Sequence, residues 1–156
     1  MSKTTFTVKR KDLKIVMERT FRAPPERVFK TITDRESIPN WWGPKRFETI
    51  IDKLDVRKGG TWRYINRDAE GKEYAFHGVF KEVDSPRRLS YTFNYEGISG
   101  NHETVETAKF EKVGVKTKMT ATVQYKSLED LDGTVNTDME EGAIETWERL
   151  AELVEA

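Results

Sequence analysis

Residues 47–126 carry one strand-like run after another and no helical stretch between them. Apolar and polar residues alternate over 47–57, 61–67, 73–83, 89–95, 104–111 and 117–125, the period of half-buried strands. Lys58-Gly59-Gly60, Asp68-Ala69-Glu70-Gly71, Asp84-Ser85-Pro86, the loop 97–101 and Gly114 separate them. Connections this short join antiparallel neighbours, because parallel pairing needs a crossover of a dozen or more residues. A further run, 13–21, precedes them, with Leu13, Ile15, Met17 and Phe21 at even spacing and Lys14, Glu18 and Thr20 between. The chain is therefore expected to build one antiparallel sheet of about seven strands.

Such a sheet must cover an apolar face, and the sequence offers one long element to do so. Met139, Ala143, Trp147, Leu150 and Val154 step by three and four, the stripe of an amphipathic C-terminal helix. Thr137-Asp138-Met139-Glu140 reads as a capping box with Thr137 as N-cap. A helix about 10–12 Å wide covers about seven strands spaced about 4.8 Å apart only if the sheet curls around it. Two short helices are expected after the first strand. One spans 25–33, with Pro25 at its start and Val28, Phe29 and Ile32 on its buried face. The second starts at an Asp34 cap and ends at Pro39 and Trp41-Trp42-Gly43-Pro44. Ser127-Leu128-Glu129-Asp130 starts a turn that Gly133 breaks. The expected fold is α+β: a curled antiparallel sheet gripping a long C-terminal helix. Residues 1–11 read as a flexible basic arm, with Lys3, Lys9, Arg10 and Lys11, and 12–156 as a single domain.

Composition removes several functions. Lys+Arg 27 against Asp+Glu 27 gives a net charge of +0, without the basic footprint that nucleic acid requires. No apolar run reaches the ~20 residues of a membrane helix, so no membrane insertion is expected. The N-terminus lacks the apolar core of a secretory signal, and no cysteine is present, so a cytoplasmic location is expected. The two histidines, His77 and His102, have no metal-ligand spacing, and no glycine-rich nucleotide motif occurs; no metal and no cofactor are expected.

Four stretches carry a resemblance: Ala23-Pro24-Pro25-Glu26-Arg27-Val28-Phe29, Trp41-Trp42-Gly43-Pro44, Asp55-Val56-Arg57-Lys58-Gly59-Gly60-Thr61-Trp62 and Pro86-Arg87-Arg88-Leu89-Ser90-Tyr91-Thr92-Phe93. Met139, Glu141-Gly142 and Trp147 add a looser fifth. Their order over roughly 13–155 resembles the activator-of-heat-shock-ATPase homologue family, within the START-related, birch-pollen-allergen-like (SRPBCC) helix-grip superfamily. The resemblance implies a helix-grip fold with a deep, largely apolar pocket.

The candidate pocket residues are Trp41, Trp42, Trp62, Tyr64, Phe76, Phe80, Tyr91, Phe93, Tyr125, Met139 and Trp147. Parity places Trp62 with Tyr64, Phe76 with Phe80, and Tyr91 with Phe93 on shared strand faces. Aromatic rings with polar handles suit an elongated apolar pocket, and equally an ordinary aromatic core. Trp41-Trp42 is a plug or a gate at one end. His77 is the best acid–base candidate, but parity turns it away from Phe76 and Phe80, towards solvent. His102 lies in a polar loop, and Asp55 is expected to hold the amides of the Gly59-Gly60 turn. No catalytic residue is assigned. The preferred function is non-catalytic binding of a small hydrophobic or amphipathic molecule, in a stress-related setting. One alternative, from the family, is a co-chaperone that contacts and activates a heat-shock ATPase. The other, from the superfamily, is a polyketide cyclase or aromatase-like enzyme. A monomer or weak homodimer is expected.

Overall fold

The alternation over 13–21 becomes strand β2 (Lys14–Phe21) in the computed structural model, which describes residues 3–156. The other strands are β1 (Thr5–Lys9), β3 (Glu48–Leu54), β4 (Thr61–Arg67), β5 (Glu73–Asp84), β6 (Arg88–Tyr95), β7 (Thr104–Val113) and β8 (Lys116–Gln124). All pair antiparallel, in the order β1-β2-β8-β7-β6-β5-β4-β3. Strands β3 to β8 form a meander, and the β2–β8 pairing brings the start of the chain to its far side. The sheet curls without closing, and β1 and β3 are its edges.

The sheet has 8 strands, one more than expected. The extra strand, β1, lies where a flexible arm over 1–11 was expected; residues 1 and 2 lie outside the described residues. Phe6 and Val8 pack towards the buried Ile15, and Val8 stands opposite Ile15 in register. Two apolar positions two apart make a half-buried edge strand, while Lys9, Arg10 and Lys11 face water and give the segment its basic look.

Helix α1 (Pro25–Thr33) follows β2, with Pro25 in its first turn, where no N–H partner is lost. It buries Val28 and Phe29, and the Phe29 ring meets Phe110 of β7 edge-on at 5.4 Å. The second expected short helix is a single 3-10 turn, Ile38–Asn40. Asp34 does not cap it. Asp34 ends α1 in an extended conformation, and its carboxylate accepts a bond from Ser37 Oγ at 2.7 Å. Pro39 leaves the segment one donor short of a full helical turn.

Gly133 does not break the segment after β8. Helix α2 (Leu128–Val135) runs through it, started by Ser127, whose hydroxyl accepts from Asp130 N at 3.1 Å, and held by the fully buried Leu131. That helix takes Thr137 out of the expected capping box. Thr137 Oγ1 donates to Thr134 O at 2.6 Å, closing α2, and accepts from Met139 N at 3.2 Å, while Asp138 becomes the N-cap of α3 (Met139–Val154).

Helix α3 lies in the concave face of the sheet. Trp147, Leu150, Ala151 and Val154 are its buried stripe, and Trp147 meets Phe21 of β2 at 6.1 Å. Its C-terminal end is pinned to the start of α1: Arg27 Nη1 donates to Val154 O at 3.2 Å, and Arg22 N donates to Glu155 Oε2 at 3.0 Å. Glu145 in its first half and Arg149 in its second grip the Trp41-Trp42-Gly43-Pro44 turn. Lys45 N donates to Glu145 Oε2 at 2.6 Å, and Arg149 donates to Gly43 O at 2.6 Å and Asn40 O at 3.0 Å. Among the described residues, no helix is long and apolar enough to cross a membrane.

The convex face is charged. Arg63 on β4 binds Glu96 through two parallel bonds of 2.9 Å each and reaches Asp52 at 3.3 Å. His77 shares Glu96, with Nδ1 2.8 Å from Oε2, and is exposed on this outer face. The Arg63 guanidinium holds the Glu96 carboxyl down at about 2, with His77 adding to it. A carboxylate with a depressed folded value contributes stability above its ordinary 4.5 that is lost as pH falls towards 2. With both partners about a third exposed, that contribution is about 1 kcal/mol. Glu96→Gln should therefore lower the unfolding free energy by about 1 kcal/mol at pH 6 and change it little at pH 2.5, measured by urea titration.

Candidate ligand-binding chamber

The same parity that buries one face of the sheet points a set of rings at α3. Inward positions are Trp62, Tyr64 and Asn66 on β4, Phe76, Gly78 and Phe80 on β5, and Leu89, Tyr91 and Phe93 on β6. Between these rings, the Trp41-Trp42 turn and the N-terminal half of α3 lies a chamber of about 530 Å³. A smaller recess of about 60 Å³ adjoins it. The gap has a local cause. Ala108 on β7, Ala121 on β8, and Gly142 and Ala143 on α3 face it, and side chains this small leave the space between sheet and helix unfilled.

Of the eleven residues singled out in the sequence, Trp41, Trp42, Tyr91 and Phe93 line both chamber and recess. Trp62, Tyr64 and Phe80 line the recess, and Phe76, Met139 and Trp147 line the chamber. Tyr125 lines neither. It lies one residue beyond β8 and turns into a second, smaller core with Ile15, Val123 and Leu131, where burial pushes its hydroxyl up to about 12.

The two neighbouring tryptophans differ. Trp41 is buried and donates its indole N–H to Thr31 O of α1 at 3.1 Å. Trp42 is only partly buried and stands edge-on to Tyr64 at 5.1 Å and Phe76 at 5.3 Å. Its carbonyl accepts from Thr49 Oγ1 at 3.0 Å, and Thr49 in turn meets the buried Asn66 at 2.8 Å. The turn is thus held by α1, β3, β4 and α3 together.

Trp62 is the centre of the ring cluster, with centroids 4.8 Å from Tyr64, 5.8 Å from Tyr91 and 5.8 Å from Phe93. Its indole N–H is buried without a hydrogen-bond partner among the described residues. It sits beside Gly78, where a Cβ would fall 2.6 Å from Trp62 Nε1 and 1.8 Å from Thr92 O; only glycine fits.

One ionisable group in this wall escapes the sequence reading. Glu106 on β7 stands opposite Tyr91 of β6 in register, and Tyr91 Oη donates to Glu106 Oε1 at 3.1 Å. Glu106 lines both chamber and recess, enclosed by protein yet not closed off from the internal space. Burial pushes its carboxyl up from 4.5 to about 7, against the opposing pull of the Tyr91 bond. Burial also raises the Tyr91 and Tyr64 hydroxyls, Tyr91 being raised further by Glu106. The parity signal was available: Glu106 falls in step with the inward Thr104, Ala108 and Phe110.

The remaining candidates lie elsewhere. The Asp55 carboxylate does not hold the glycine turn; it accepts from Arg57 Nε at 2.7 Å. Main-chain carbonyls hold that turn instead, Gly59 N donating to Phe80 O and Gly60 N to Arg57 O, each at 2.8 Å. His102 is exposed, with Nδ1 2.7 Å from the Asp130 carboxylate, which raises its pKa. Among the described residues no group of three or more potential metal ligands comes together.

Residues 22–155 match the family described as Activator of Hsp90 ATPase homolog 1-like protein. A protein from Rhodobacter sphaeroides has a crystal structure similar to this one at TM-score 0.89 and 21% identity, covering 98% of each chain. A protein from Mycobacterium smegmatis is similar at TM-score 0.86 and 22% identity, over 97% of this chain and 96% of that one. The AHSA1 protein from Silicibacter pomeroyi is similar at TM-score 0.75 and 23% identity, over 91% of this chain and 97% of that one. At these identities the likeness is one of fold. No curated protein matches the chain.

Proposed function

The chain belongs to the Activator of Hsp90 ATPase homolog 1-like family, and from its chamber we propose that it binds a small hydrophobic or amphipathic molecule between the curled sheet and α3, without turning it over. The observation that carries this reading is the chamber itself. Its volume of about 530 Å³ falls within the ~300–1,000 Å³ of small-molecule sites. Its wall is mostly aromatic and aliphatic, with polar groups such as Asn66 and Glu106 set among the rings and an acidic outer part, a lining of the kind that small-molecule sites use. A mere packing defect between sheet and helix would be smaller, since interiors leave few voids larger than a water.

Titration with N-phenyl-1-naphthylamine, an uncharged dye that fluoresces in apolar surroundings, tests the reading. Saturable binding is expected. Trp42→Ala should weaken it about 10-fold while changing stability by less than about 2 kcal/mol, because Trp42 is only partly buried. Absence of saturable binding by the unsubstituted protein would overturn the reading.

Glu106 gives specific support to the enzymatic alternative. A carboxyl near 7 beside a tyrosine hydroxyl in an apolar chamber is poised for proton transfer. That alternative requires turnover of an aromatic polyketide-type substrate that Glu106→Gln abolishes. Contact with a heat-shock ATPase, suggested by the family's description, needs an outer surface instead. Co-purification with such an ATPase and a changed hydrolysis rate would favour it.

A further inference from the structure

The charge around the chamber is one-sided. Glu106 stands where chamber and recess meet, and Asp138, Glu141 and Glu145 line the chamber's outer part. Against these acids, Arg46 is the one cation among the described lining residues, and its guanidinium lies over the Phe47 ring at 4.7 Å. Among the described residues, no lysine, arginine or histidine lines the recess. The titratable groups near Glu106 are Tyr91 from β6 and, more distantly, Tyr125 beyond β8.

From this juxtaposition we infer that the chamber takes an amphipathic organic cation, its ammonium head at Glu106 and its apolar body along α3. The inference rests on the chamber reading and names the ligand class. Three physical arguments converge on it. First, the Glu106 carboxyl lines both spaces beside the Tyr91 hydroxyl with no cationic side chain among the described residues bonded to it, and an enclosed carboxylate without a cation is costly. Second, Trp62, Tyr91 and Phe93 line the same recess as Glu106, and aromatic rings attract cations electrostatically through their faces. Third, the acids of the outer part draw a cation inward and repel an anion. A fatty acid or other carboxylate would set like charge against Glu106 in a site of low dielectric.

The test compares three ligands of matched size on the full chain at pH 8 by calorimetry or equilibrium dialysis. They are benzyltrimethylammonium, its neutral carbon isostere neopentylbenzene, and phenylacetate. The expected result is a preference of about 10-fold or more for the cation over the isostere, with phenylacetate weakest. Glu106→Gln should bring cation and isostere within about 2-fold of each other, by lowering the affinity for the cation. The cation carries a permanent charge, so its affinity should rise from about pH 5.5 to about pH 8 as Glu106 ionises. Equal or tighter binding of the isostere overturns the cation assignment and leaves the chamber reading standing. A cation preference that survives Glu106→Gln overturns the role given to that carboxyl. Failure of all three ligands to bind at millimolar concentration overturns both readings.

Discussion

Trp62→Ala is expected to destabilise the protein by about 3–5 kcal/mol, read as a lower denaturant midpoint at an unchanged slope. Trp62 is 3% exposed and touches one ring on its own strand, Tyr64, and two on β6, Tyr91 and Phe93. Removing it leaves a cavity at the seam of β4, β5 and β6, where Gly78 offers no side chain to fill it. Collapse is hindered because the opposing backbone is already at contact: a Cβ at Gly78 would meet Thr92 O. The substitution also removes a buried indole N–H without a partner, and this relief offsets part of the loss, at roughly 1–3 kcal/mol. The lower half of the range is therefore the better expectation. A loss under about 1 kcal/mol, together with abolished dye binding, would mean that Trp62 is a ligand contact and not a core residue. Trp42→Ala is the matched comparison, since the two rings share one cluster through Tyr64 and differ in burial.

The contrast between Trp62 and Trp42 shows what period-two parity reveals and what it hides. Half-buried antiparallel strands write their inward face into every second residue, so Trp62 with Tyr64, Phe76 with Phe80, and Tyr91 with Phe93 were legible as shared faces. Parity does not say how far the opposite layer stands. That distance is set by small residues on other elements, Ala108, Ala121 and Gly142, which read as unremarkable in sequence. The second misread region has one origin. Gly133 reads as a break in sequence, yet an exposed glycine in a short helix costs only about 1 kcal/mol, and the buried Leu131 outweighs it. Once α2 exists, Thr137 belongs to its end, and Tyr125 packs against Leu131 instead of facing the chamber. β1 went unrecognised because three basic residues follow its two apolar ones, and an edge strand needs no more than two. Glu106 is hidden for a related reason: an acidic residue in an alternating run reads by default as a solvent position. Only its register with Tyr91 reveals it.

That carboxyl leads to the second large effect: stability should fall as pH rises from 4.5 to about 7, and Glu106→Gln should remove the fall. The sign follows from proton counts. Glu106 has a folded value above its ordinary one, so in this window the folded state binds more protons than the unfolded state. Below 4.5 both states are protonated and the group adds no penalty; above about 7 both are ionised and the penalty is complete. The gap corresponds to on the order of 3 kcal/mol at pH 8. Gln keeps the shape and the bond from Tyr91 but cannot ionise, so the variant should be more stable than the parent at pH 8. The gain is about 2 kcal/mol, because the new amide N–H groups find an incomplete set of partners. Glu96 titrates in the opposite sense and below 4.5, so the two effects do not overlap. Urea unfolding of both proteins at pH 5 and pH 8 separates the outcomes. Parallel pH profiles for parent and variant would show that Glu106 is solvated, and would remove it from the chamber wall. A benzyltrimethylammonium-bound protein provides the complementary measurement. If the cation pairs with the ionised carboxylate, saturating it should flatten the parent's alkaline fall and leave the Gln variant's profile unchanged.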